Sequence, residues 1–560
     1  MTTELHVPAA SPVTAPALPS MEFVAPGPGM WRLDSTHTGR RPTTYFLREM
    51  FESMFEDGSV VICERYGLPL ERLRMAHVNG CRYIRPKPIG EGNRPKSPPP
   101  APVMRVVARL HPSLRRRNRI AAQAWQEKRW RIENEEWFGR DRATIVSANL
   151  ALQTIQPHDL DDRELVDHLD RLVAHLRVTG ANHGSTHGAD AIPMGDYLVH
   201  CRTWGIDDES ATLLLRGSSP ASVEAARDLA PVVQAVAQSG TEPTSLDDIR
   251  ALGPAAAAAL ERWLDLYGWR LITSMDIDVP TLMERPALCL NAVLATANLD
   301  NAIVSPDPAP VRAQVPPNDR PTFDAMLAEA REGMRHRDDN SGICWSWPAG
   351  LVRRALLEIG RRLATQGRVA VAEHAFELSP AEVRPLLLHG SGPTADELAE
   401  RLATRRSVEL AGPPDVLGDV EPAPPVDLFP GPIARATKAL MATLSTMDAE
   451  PTTRPLTGSG IGTTAFRGTA RVVSTSDDGL DRLEPGDVLV TPFTTPAYNS
   501  VFSLVGALVC ENGGVMCHAA FLSREYGVPA VLGVTDATRL IPDGATVEVD
   551  PANGIVRIVD

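Results

Sequence analysis

The chain has 560 residues, of which 43% are hydrophobic and 22% are charged, a composition that excludes a largely disordered or fibrous protein. The length exceeds what one hydrophobic core usually organises, so we expect about three domains. Lys and Arg number 56 against 70 Asp and Glu, and the resulting net charge of -14 argues against a nucleic acid or an anionic membrane as the main partner.

Cysteine usage and the N-terminus bear on the cell compartment. The seven cysteines are spread along the chain without a C-x-x-C pair or a zinc-type spacing, which is typical of reduced thiols. The N-terminus lacks a basic stretch followed by an apolar one, and no apolar run reaches the ~18 residues that a transmembrane helix needs. We therefore expect a cytoplasmic protein with no membrane partner.

The predicted elements change character along the chain. Residues 1–22 are small, Pro-rich and aperiodic, which predicts a disordered tail. The Pro-rich stretch 85–102 predicts a surface loop, because proline removes a backbone donor and fixes φ. Up to residue 410 apolar residues recur at helical spacing, as in 159–178 behind an acidic start. We predict a mainly α-helical substrate-binding domain over 23–410, without the repeats of a (β/α)₈ barrel.

The remainder of the chain predicts a different architecture. Residues 411–465 favour a linker with a helix at 433–447 and a flexible hinge at 450–464. Beyond them, short β runs alternate with Gly, Pro and Asp turns, which predicts a compact β/α domain over 466–560. The expected fold is therefore multidomain, with a large helical domain followed by a small β/α domain.

The sharpest local feature is the sequence ENGGVMCHAAFLSREYGVPAVLGV at 511–534. An apolar strand ends in Gly513 and Gly514, and His518 stands at the start of a helical run. Glycines let the backbone approach a ligand closely, and the free N–H groups and dipole of a helix start favour an anion such as a phosphoryl group. An imidazole placed there can accept phosphate as a nucleophile. An isolated histidine at a helix start is more often a cap or a partly buried side chain, so the surrounding residues decide.

These surroundings resemble the phosphohistidine motif of the PEP-utilising enzyme family, which includes phosphoenolpyruvate synthase, pyruvate phosphate dikinase and rifampicin phosphotransferase. The matching positions are Gly513, Gly514, Cys517, His518, Ala519, Ala520, Arg524, Glu525, Gly527, Pro529, Ala530 and Val531. The resemblance extends over 466–560. It implies a swivelling domain in which His518 cycles through phosphohistidine, with the motif's glycines, Cys517, Arg524 and Glu525 binding phosphate or supporting the motif. Met516 stands where several dikinases have a regulatory threonine, so that form of control is not expected here.

The middle of the chain more faintly resembles the substrate-binding domain of rifampicin phosphotransferase. The segments that carry this likeness are 26–46, 213–220, 267–286 and 335–363. Neither the ATP-grasp domain nor the C-terminal barrel of the fused family members is visible. The similarity to split systems such as phenylphosphate synthase implies that a separate ATP-grasp subunit binds ATP and Mg²⁺. It further implies an ATP-dependent phosphotransferase component, in catabolism or resistance, that passes phosphate from His518 to a phenolic or alcoholic hydroxyl of a small molecule.

Charged candidates for the substrate site lie in the middle of the chain. Arg270 would clamp a phosphoryl group or form a solvated ion pair at a helix end. Arg337, Asp338 and Asp339 would orient a substrate, although a helix cap is the more frequent use of such a cluster.

Histidine candidates lie in the same region. His37 would be a general base or, more often for such a residue, a structural hydrogen-bonding group. His183 and His187 have metal-ligand spacing on a helix, but the intervening glycine and the missing third ligand argue against zinc, so no metal is expected.

Two alternatives and one basic run complete the sequence-based hypotheses. The run LRRRNR at 114–119 favours a solvated face or a docking surface for the partner over nucleic acid, because the protein is acidic. A pyruvate or phosphoenolpyruvate dikinase-like enzyme is disfavoured because we recognise no sequence pattern of the C-terminal barrel. A non-catalytic phosphoryl carrier or regulatory binding protein stays open, although the intact motif around His518 argues against loss of phosphoryl chemistry.

Overall fold

The structure is a computed structural model that describes residues 21–34, 40–91, 100–219, 224, 227–297, 305–419, 425–447, 454–473, 482–494, 498 and 502–559. Its α-helices are α1 (Arg48–Arg65), α2 (Ala101–Leu110), α3 (Pro112–Glu127), α4 (Arg129–Glu136), α5 (Arg142–Gln153), α6 (Asp162–Thr203), α7 (Asp208–Leu213), α8 (Ala230–Ser239), α9 (Leu246–Ala251), α10 (Pro254–Trp263), α11 (Pro286–Ala297), α12 (Ala309–Gln314), α13 (Arg320–Ser341), α14 (Trp347–Thr365), α15 (Pro380–His389), α16 (Ala395–Ala411), α17 (Gly431–Met447), α18 (His518–Tyr526) and α19 (Ala537–Leu540). Its π-helical turns are Trp137–Asp141, Leu264–Gly268 and Gly342–Ser346, and its 3₁₀ turns are Pro157–Asp159, Leu282–Glu284, Pro317–Asp319, Ala372–Glu377, Val426–Leu428 and Phe502–Leu504. Its strands are β1 (Trp31–Leu33), β2 (Leu70–Val78), β3 (Cys81–Pro88), β4 (Val416–Leu417), β5 (Ser459–Ile461), β6 (Phe466–Val472), β7 (Asp487–Thr491), β8 (Val505–Cys510), β9 (Ala530–Leu532), β10 (Thr546–Asp550) and β11 (Ile555–Ile558).

These elements confirm the predicted fold class. We call residues 40–447 the helical region and residues 459–559 the C-terminal domain. The helical region is built around α6, which begins with a capping box in which the Glu164 amide donates to Asp161 and the Asp161 amide donates to Glu164. Its first turns bury a leucine stripe at helical spacing, made of Leu165, Leu169, Leu172 and Leu176. This stripe packs in one hydrophobic core with α1 and α14.

The second half of α6 is rich in glycine because neighbouring helices approach it closely. A methyl group on Gly188 would lie 2.1 Å from the Tyr66 ring, and one on Gly58 of α1 would lie 2.8 Å from the Gly184 backbone. At Gly195 the neighbour is α17. The glycines around His183 and His187 therefore serve helix packing within a continuous helix.

Gly195→Ala is expected to lower the free energy of unfolding by about 3 kcal/mol, since overpacking a rigid contact forces backbone shifts. The added methyl group would lie 1.8 Å from the carbonyl oxygen of Ala439 and 2.7 Å from Thr443 Oγ1. Urea unfolding measures the change. Gly139→Ala is the matched control, because a methyl group there meets nothing within 4 Å and alanine favours the helix. Equal effects of the two substitutions would contradict the packing argument.

A four-stranded antiparallel sheet, ordered β2-β3-β1-β4, was not among the predicted elements. It corrects the prediction of a loop over 85–102, because β3 continues to Pro88 and α2 begins at Ala101. β3 pairs with β1 only near Tyr83 and Ile84, so Pro86 and Pro88 have a partner strand on one side alone, where proline is tolerated.

Parts of the predicted tail (1–22) and of the predicted linker (411–465) also contact this first sheet. Residues 1–20 lie outside the described residues, while Met21 packs against the cluster around Trp31. β4 returns the chain from 411–465 to pair with β1, with Leu417 opposite Trp31.

The C-terminal domain contains a sheet ordered β11-β10-β6-β7-β8-β9-β5. β6, β7, β8 and β9 are parallel, and the outer strands are antiparallel. β5 lies within the predicted hinge 450–464, so part of that hinge is a sheet strand, and the sheet begins before residue 466. Gly460 explains the close fit of β5, because a methyl group there would lie 1.7 Å from the Pro551 carbonyl oxygen.

The C-terminal domain packs directly against the helical region. One hydrophobic core joins apolar residues of α8, α10 and α11 to residues of the sheet and α18. A second core joins Met516 and Phe521 to α6 and α13. These contacts bring the start of α18 to the helical region.

Candidate functional site

His518 is the first residue of α18, directly after the turn that follows β8. Gly513 in that turn has a φ of +108°, a conformation that favours glycine. Cys517 is the N-cap residue; burial raises the pKa of its thiol, and the Ala519 and Ala520 amides of the first turn oppose that rise. The start of α18 presents backbone amides and the positive end of the helix dipole, an arrangement that suits an anion.

The His518 imidazole is half-buried and electrically neutral near pH 7. Burial, reinforced by the positive charge of Arg337, lowers its pKa to about 3. Thr494 Oγ1 lies 3.1 Å from Nδ1. We assign the ring proton to Nδ1, donated to Thr494, which leaves the Nε2 lone pair as the nucleophile.

Arg337 is the sequence-predicted residue of the helical region that the structure brings to the His518 turn. Its Nη2 donates to the Met516 carbonyl oxygen at 3.4 Å, and its guanidinium lies 5.2 Å from the Phe521 ring centroid. Arg337 lies inside α13, with Gly342 as the C-cap, so the helix-cap alternative is wrong for this residue. The side chain of Asp338 and the whole of His37 lie outside the described residues.

A cluster of polar side chains on α6 continues from Arg337. Asp190 is buried, and its Oδ2 lies 3.9 Å from Arg337 Nε and 3.6 Å from His187 Nδ1. Burial by itself raises the pKa of Asp190, but His187 and Arg337 outweigh it and hold the pKa below its usual value. The His183 and His187 ring centroids are 4.6 Å apart, and His183 Nδ1 donates to Asn340 Oδ1 at 2.6 Å.

The two histidines of the metal-spaced pair thus have different polar neighbours. His183 bonds to an amide, while His187 faces a carboxylate. No three His, Cys, Asp or Glu side chains of the described ranges converge where they would hold a metal ion.

Arg270 and Asp339 belong to a second polar network inside the helical region. Arg270 Nε donates to the Leu266 carbonyl oxygen at 2.8 Å, and its guanidinium lies 4.5 Å from the Tyr267 ring centroid. Asp339 accepts from Arg142 Nε at 2.8 Å and from Trp137 Nε1 at 3.0 Å. Leu266 and Tyr267 lie in one π-helical turn and Trp137 lies in another. Such turns are frequent near functional sites. The role of Arg270 as a phosphoryl clamp stays a prediction.

The motif residues Arg524 and Glu525 hold the C-terminal domain on the helical region. Arg524 is buried, pairs with Glu209 of α7, and donates through Nη1 to the Val515 carbonyl oxygen at 2.6 Å. Glu525 Oε1 accepts from the Gly217 amide at 2.8 Å. The structure therefore gives these two side chains docking contacts, where the motif resemblance implied phosphate binding or support.

A cavity of about 440 Å³ lies beside the polar cluster, between α1, α5 and α6. Its α6 lining includes Asn182 and Ser185. Because an α-helix rises 1.5 Å per residue, Asn182 and Asp190 are about 12 Å apart along the axis. The cavity adjoins the cluster but does not coincide with the contact between Arg337 and the His518 turn.

The structure bears on two further expectations, one about the basic run at 114–119 and one about a membrane partner. Arg115, Arg116 and Arg119 of the basic run are exposed while Arg117 is buried, and a docking role for this run stays a prediction. Within the described ranges, the structure has no helix that combines the length and the apolarity required to cross a membrane.

Several residues of this site were missed by sequence reasoning. Thr494 lies in a segment that resembles the family but has no signal of its own. Asp190 is three residues after His187 on a helix, and that spacing places both side chains on one face. Glu209 and Gly217 have no sequence signal, because only the tertiary packing brings them to the motif.

The stability of the chain is expected to fall as the pH drops below about 6.5. Burial lowers the pKa of His168 and of His336 to about 4, as it lowers that of His518. Unfolded histidines titrate near 6.5, so the unfolded state binds more protons below that pH, and each such group removes up to about 1.4 kcal/mol per pH unit. We expect His168→Gln to have a shallower pH dependence of the urea midpoint between pH 6.5 and 4.5. An unchanged slope would contradict the buried neutral state of His168.

Comparison with known proteins gives matches in both parts of the chain. A family model described as "PEP-utilising enzyme, mobile domain" matches residues 483–554, which include His518. A second, described as "Rifampicin phosphotransferase fourth domain", matches residues 200–338, which include Arg337.

Curated relatives match over longer stretches. An uncharacterised protein of Mycobacterium tuberculosis is 29% identical over 338 residues, which cover 60% of this chain and 35% of that protein. A rifampicin phosphotransferase of Streptomyces sviceus is 29% identical over 343 residues, which cover 55% of this chain and 35% of that protein. A rifampicin phosphotransferase of Bacillus cereus is 40% identical over 104 residues, which cover 19% of this chain and 12% of that protein. The chain therefore spans about a third or less of the length of these relatives.

Proposed function

We propose that the chain is a phosphotransferase of the PEP-utilising enzyme family that carries phosphate on His518 to a hydroxyl of a small organic molecule. The observation that carries this proposal is the meeting of two groups from different parts of the chain. A neutral imidazole at a helix start lies against a turn whose Met516 carbonyl accepts from Arg337 of the helical region. A nucleophile and a phosphate-binding cation are thus brought to one place.

The first step loads His518. The Nε2 lone pair attacks a phosphorus of ATP, the P–O bond to the leaving group breaks, and the other ring proton stays on Nδ1, hydrogen-bonded to Thr494 Oγ1. We propose that an ATP-grasp partner subunit binds ATP, as in the split systems that the sequence resembles. Mg²⁺ on that ATP would neutralise the phosphate oxygens. Loading at a separate site requires the C-terminal domain to leave the docked position, which breaks the Arg524–Glu209 pair.

The second step discharges phospho-His518 in the docked position. The acceptor oxygen attacks phosphorus while its hydroxyl proton passes to a base, and the P–N bond breaks with its electron pair returning to Nε2. The guanidinium of Arg337 and the amides at the start of α18 stabilise charge on the transferring phosphoryl oxygens. The product is a phosphate ester, and His518 returns to its neutral state.

The acceptor that we propose is an alcohol or a phenol of drug-like size. This proposal rests on the two relatives that are named rifampicin phosphotransferase. A phosphoenolpyruvate reaction has no comparable support in the described residues.

Labelled ATP tests the proposal. The chain is incubated alone, and with an ATP-grasp protein encoded beside it, and peptides are mapped for acid-labile, alkali-stable phosphate. Phosphoramidate, which phosphorylates histidine directly, serves as a partner-independent donor. We expect label on the peptide that contains His518, followed by its transfer to rifampicin or phenol.

The contrary outcomes are distinct. Label on another residue, or none from either donor, overturns the phosphohistidine assignment. Label that stays on His518 with every hydroxyl compound supports a phosphoryl carrier and overturns the transferase. Loading from ATP without any second protein overturns the partner subunit alone.

A further inference from the structure

The carboxylate of Asp190 and the imidazole of His187 form a pair at the edge of the transfer site. They are three residues apart on α6, so both face α13 and Arg337. Their contact atoms, His187 Nδ1 and Asp190 Oδ2, are 3.6 Å apart, and the same Oδ2 lies 3.9 Å from Arg337 Nε. The Arg337 that reaches toward the His518 turn is therefore held by the same carboxylate that faces His187.

We propose that His187 is the general base that takes the proton of the acceptor hydroxyl, and that Asp190 is the residue that positions it. This assignment rests on the proposed function. The His187 side chain is 42% exposed while that of Asp190 is 4% exposed, so the base is open to an incoming acceptor and its anchor is fixed. A buried carboxylate facing Nδ1 keeps the proton on that nitrogen, which leaves Nε2 to accept another.

Buried polar atoms lie around this pair where α6 packs against α13. Asp190 Oδ1 has no hydrogen-bond partner among the described residues, and neither ring nitrogen of buried His336 has one. Unsatisfied buried groups are costly. An acceptor hydroxyl or its water would supply the missing partners.

The proposed step balances in atoms and charge. The acceptor oxygen forms a bond to phosphorus as the P–Nε2 bond of phospho-His518 breaks, and that electron pair returns to Nε2. The hydroxyl proton passes to His187 Nε2. His187 becomes an imidazolium beside the Asp190 carboxylate, and it then releases the proton to solvent through its exposed edge.

The charged and titratable groups that face His187 come from two helices. His183 and Asp190 lie on α6, and His336 and Arg337 lie on α13. Removing Asp190 takes away the carboxylate that faces Nδ1, and is therefore expected to leave the His187 ring less well oriented and to lower the transfer rate.

The test uses the full chain loaded on His518 with phosphoramidate, freed of excess donor, and mixed with rifampicin, phenol or glycerol. The discharge rate is measured per loaded His518 from pH 5 to 9, with urea-unfolded loaded chain as the uncatalysed baseline. We expect His187→Ala to lower discharge about 100-fold, to remove the acidic limb, and to be partly rescued by added imidazole. Asp190→Asn is expected to lower discharge about 10-fold and to change its pH profile.

His200→Ala is the matched control, because His200 lies on the same helix with its Nδ1 3.8 Å from an Asp196 carboxylate oxygen but away from Arg337. A His187→Ala chain that discharges at the wild-type rate with the wild-type pH profile would overturn the assignment while leaving the proposed function intact. A lowered rate without a changed profile or imidazole rescue would also overturn it, because a structural role predicts that result. A wild-type chain that fails to load, or that discharges no faster than the unfolded baseline, would overturn the proposed function itself.

Discussion

A chain with His518→Asn is expected to hold no acid-labile phosphate and to transfer none to any acceptor. The amide nitrogen of asparagine is not a nucleophile, so no phosphoryl-enzyme forms. We expect the rate of phosphate transfer to fall at least ~10⁴-fold below that of the wild type. Asparagine is also accepted at a helix start and keeps a polar atom near Thr494. The variant should therefore fold and dock as the wild type does.

Labelling, acceptor product and unfolding measured on the same preparations separate chemistry from stability. His200→Asn is the matched control, since His200 Nδ1 donates to the Asp196 carbonyl oxygen at 2.8 Å and lies about 15 Å along the α6 axis from Asp190. His518→Asn should also flatten the acid-side loss of stability, because it removes one group whose pKa burial lowers to about 3. Label on the asparagine variant at the wild-type level would overturn the role of His518.

The phosphohistidine turn was predictable because its parts are contiguous. Gly513, Cys517 and His518 lie within a few residues of one another, and a strand, a glycine turn and a helix start can each be read locally. The long helix α6 was predictable for the same reason, through its capping residues and its leucine period.

The docking contacts were not predictable, because their partners are distant in the chain. Arg524 and Glu209 are 315 residues apart, and Arg337 and Met516 are 179 apart. A single sequence contains no signal for such pairs. The resemblance accordingly implied that Arg524 and Glu525 bind phosphate or support the motif, while in the structure both side chains contact the helical region.

The first sheet was missed for a different physical reason. β1 has three residues and β4 has two, and an alternation of period two cannot be recognised over so short a run. β3 is longer but contains prolines that normally mark a loop, and the one-sided pairing at Pro86 and Pro88 is a property of the assembled sheet.

Arg337→Met is expected to lower the discharge of phospho-His518 to an acceptor by about 10²–10³-fold, the usual effect of removing one preorganised group that stabilises developing charge. Methionine keeps much of the apolar packing against Phe521 and loses the guanidinium. The loss of the guanidinium also removes one cause of the low pKa of His518. We expect that pKa to rise, although burial still holds it below its ordinary value. Histidine NMR titration measures that shift.

The effect should fall on discharge, because Arg337 lies on the helical region and meets His518 only in the docked position. Discharge is therefore compared per loaded His518, with phosphoramidate as donor. Arg335→Met is the matched control on the same helix, since Arg335 pairs with Glu332 at 3.1 Å and lies 4.6 Å from the Phe138 ring centroid. Equal discharge rates for the two variants would show that the phosphoryl group is transferred elsewhere than at the docked contact, and the docked position would then be a resting state of the C-terminal domain.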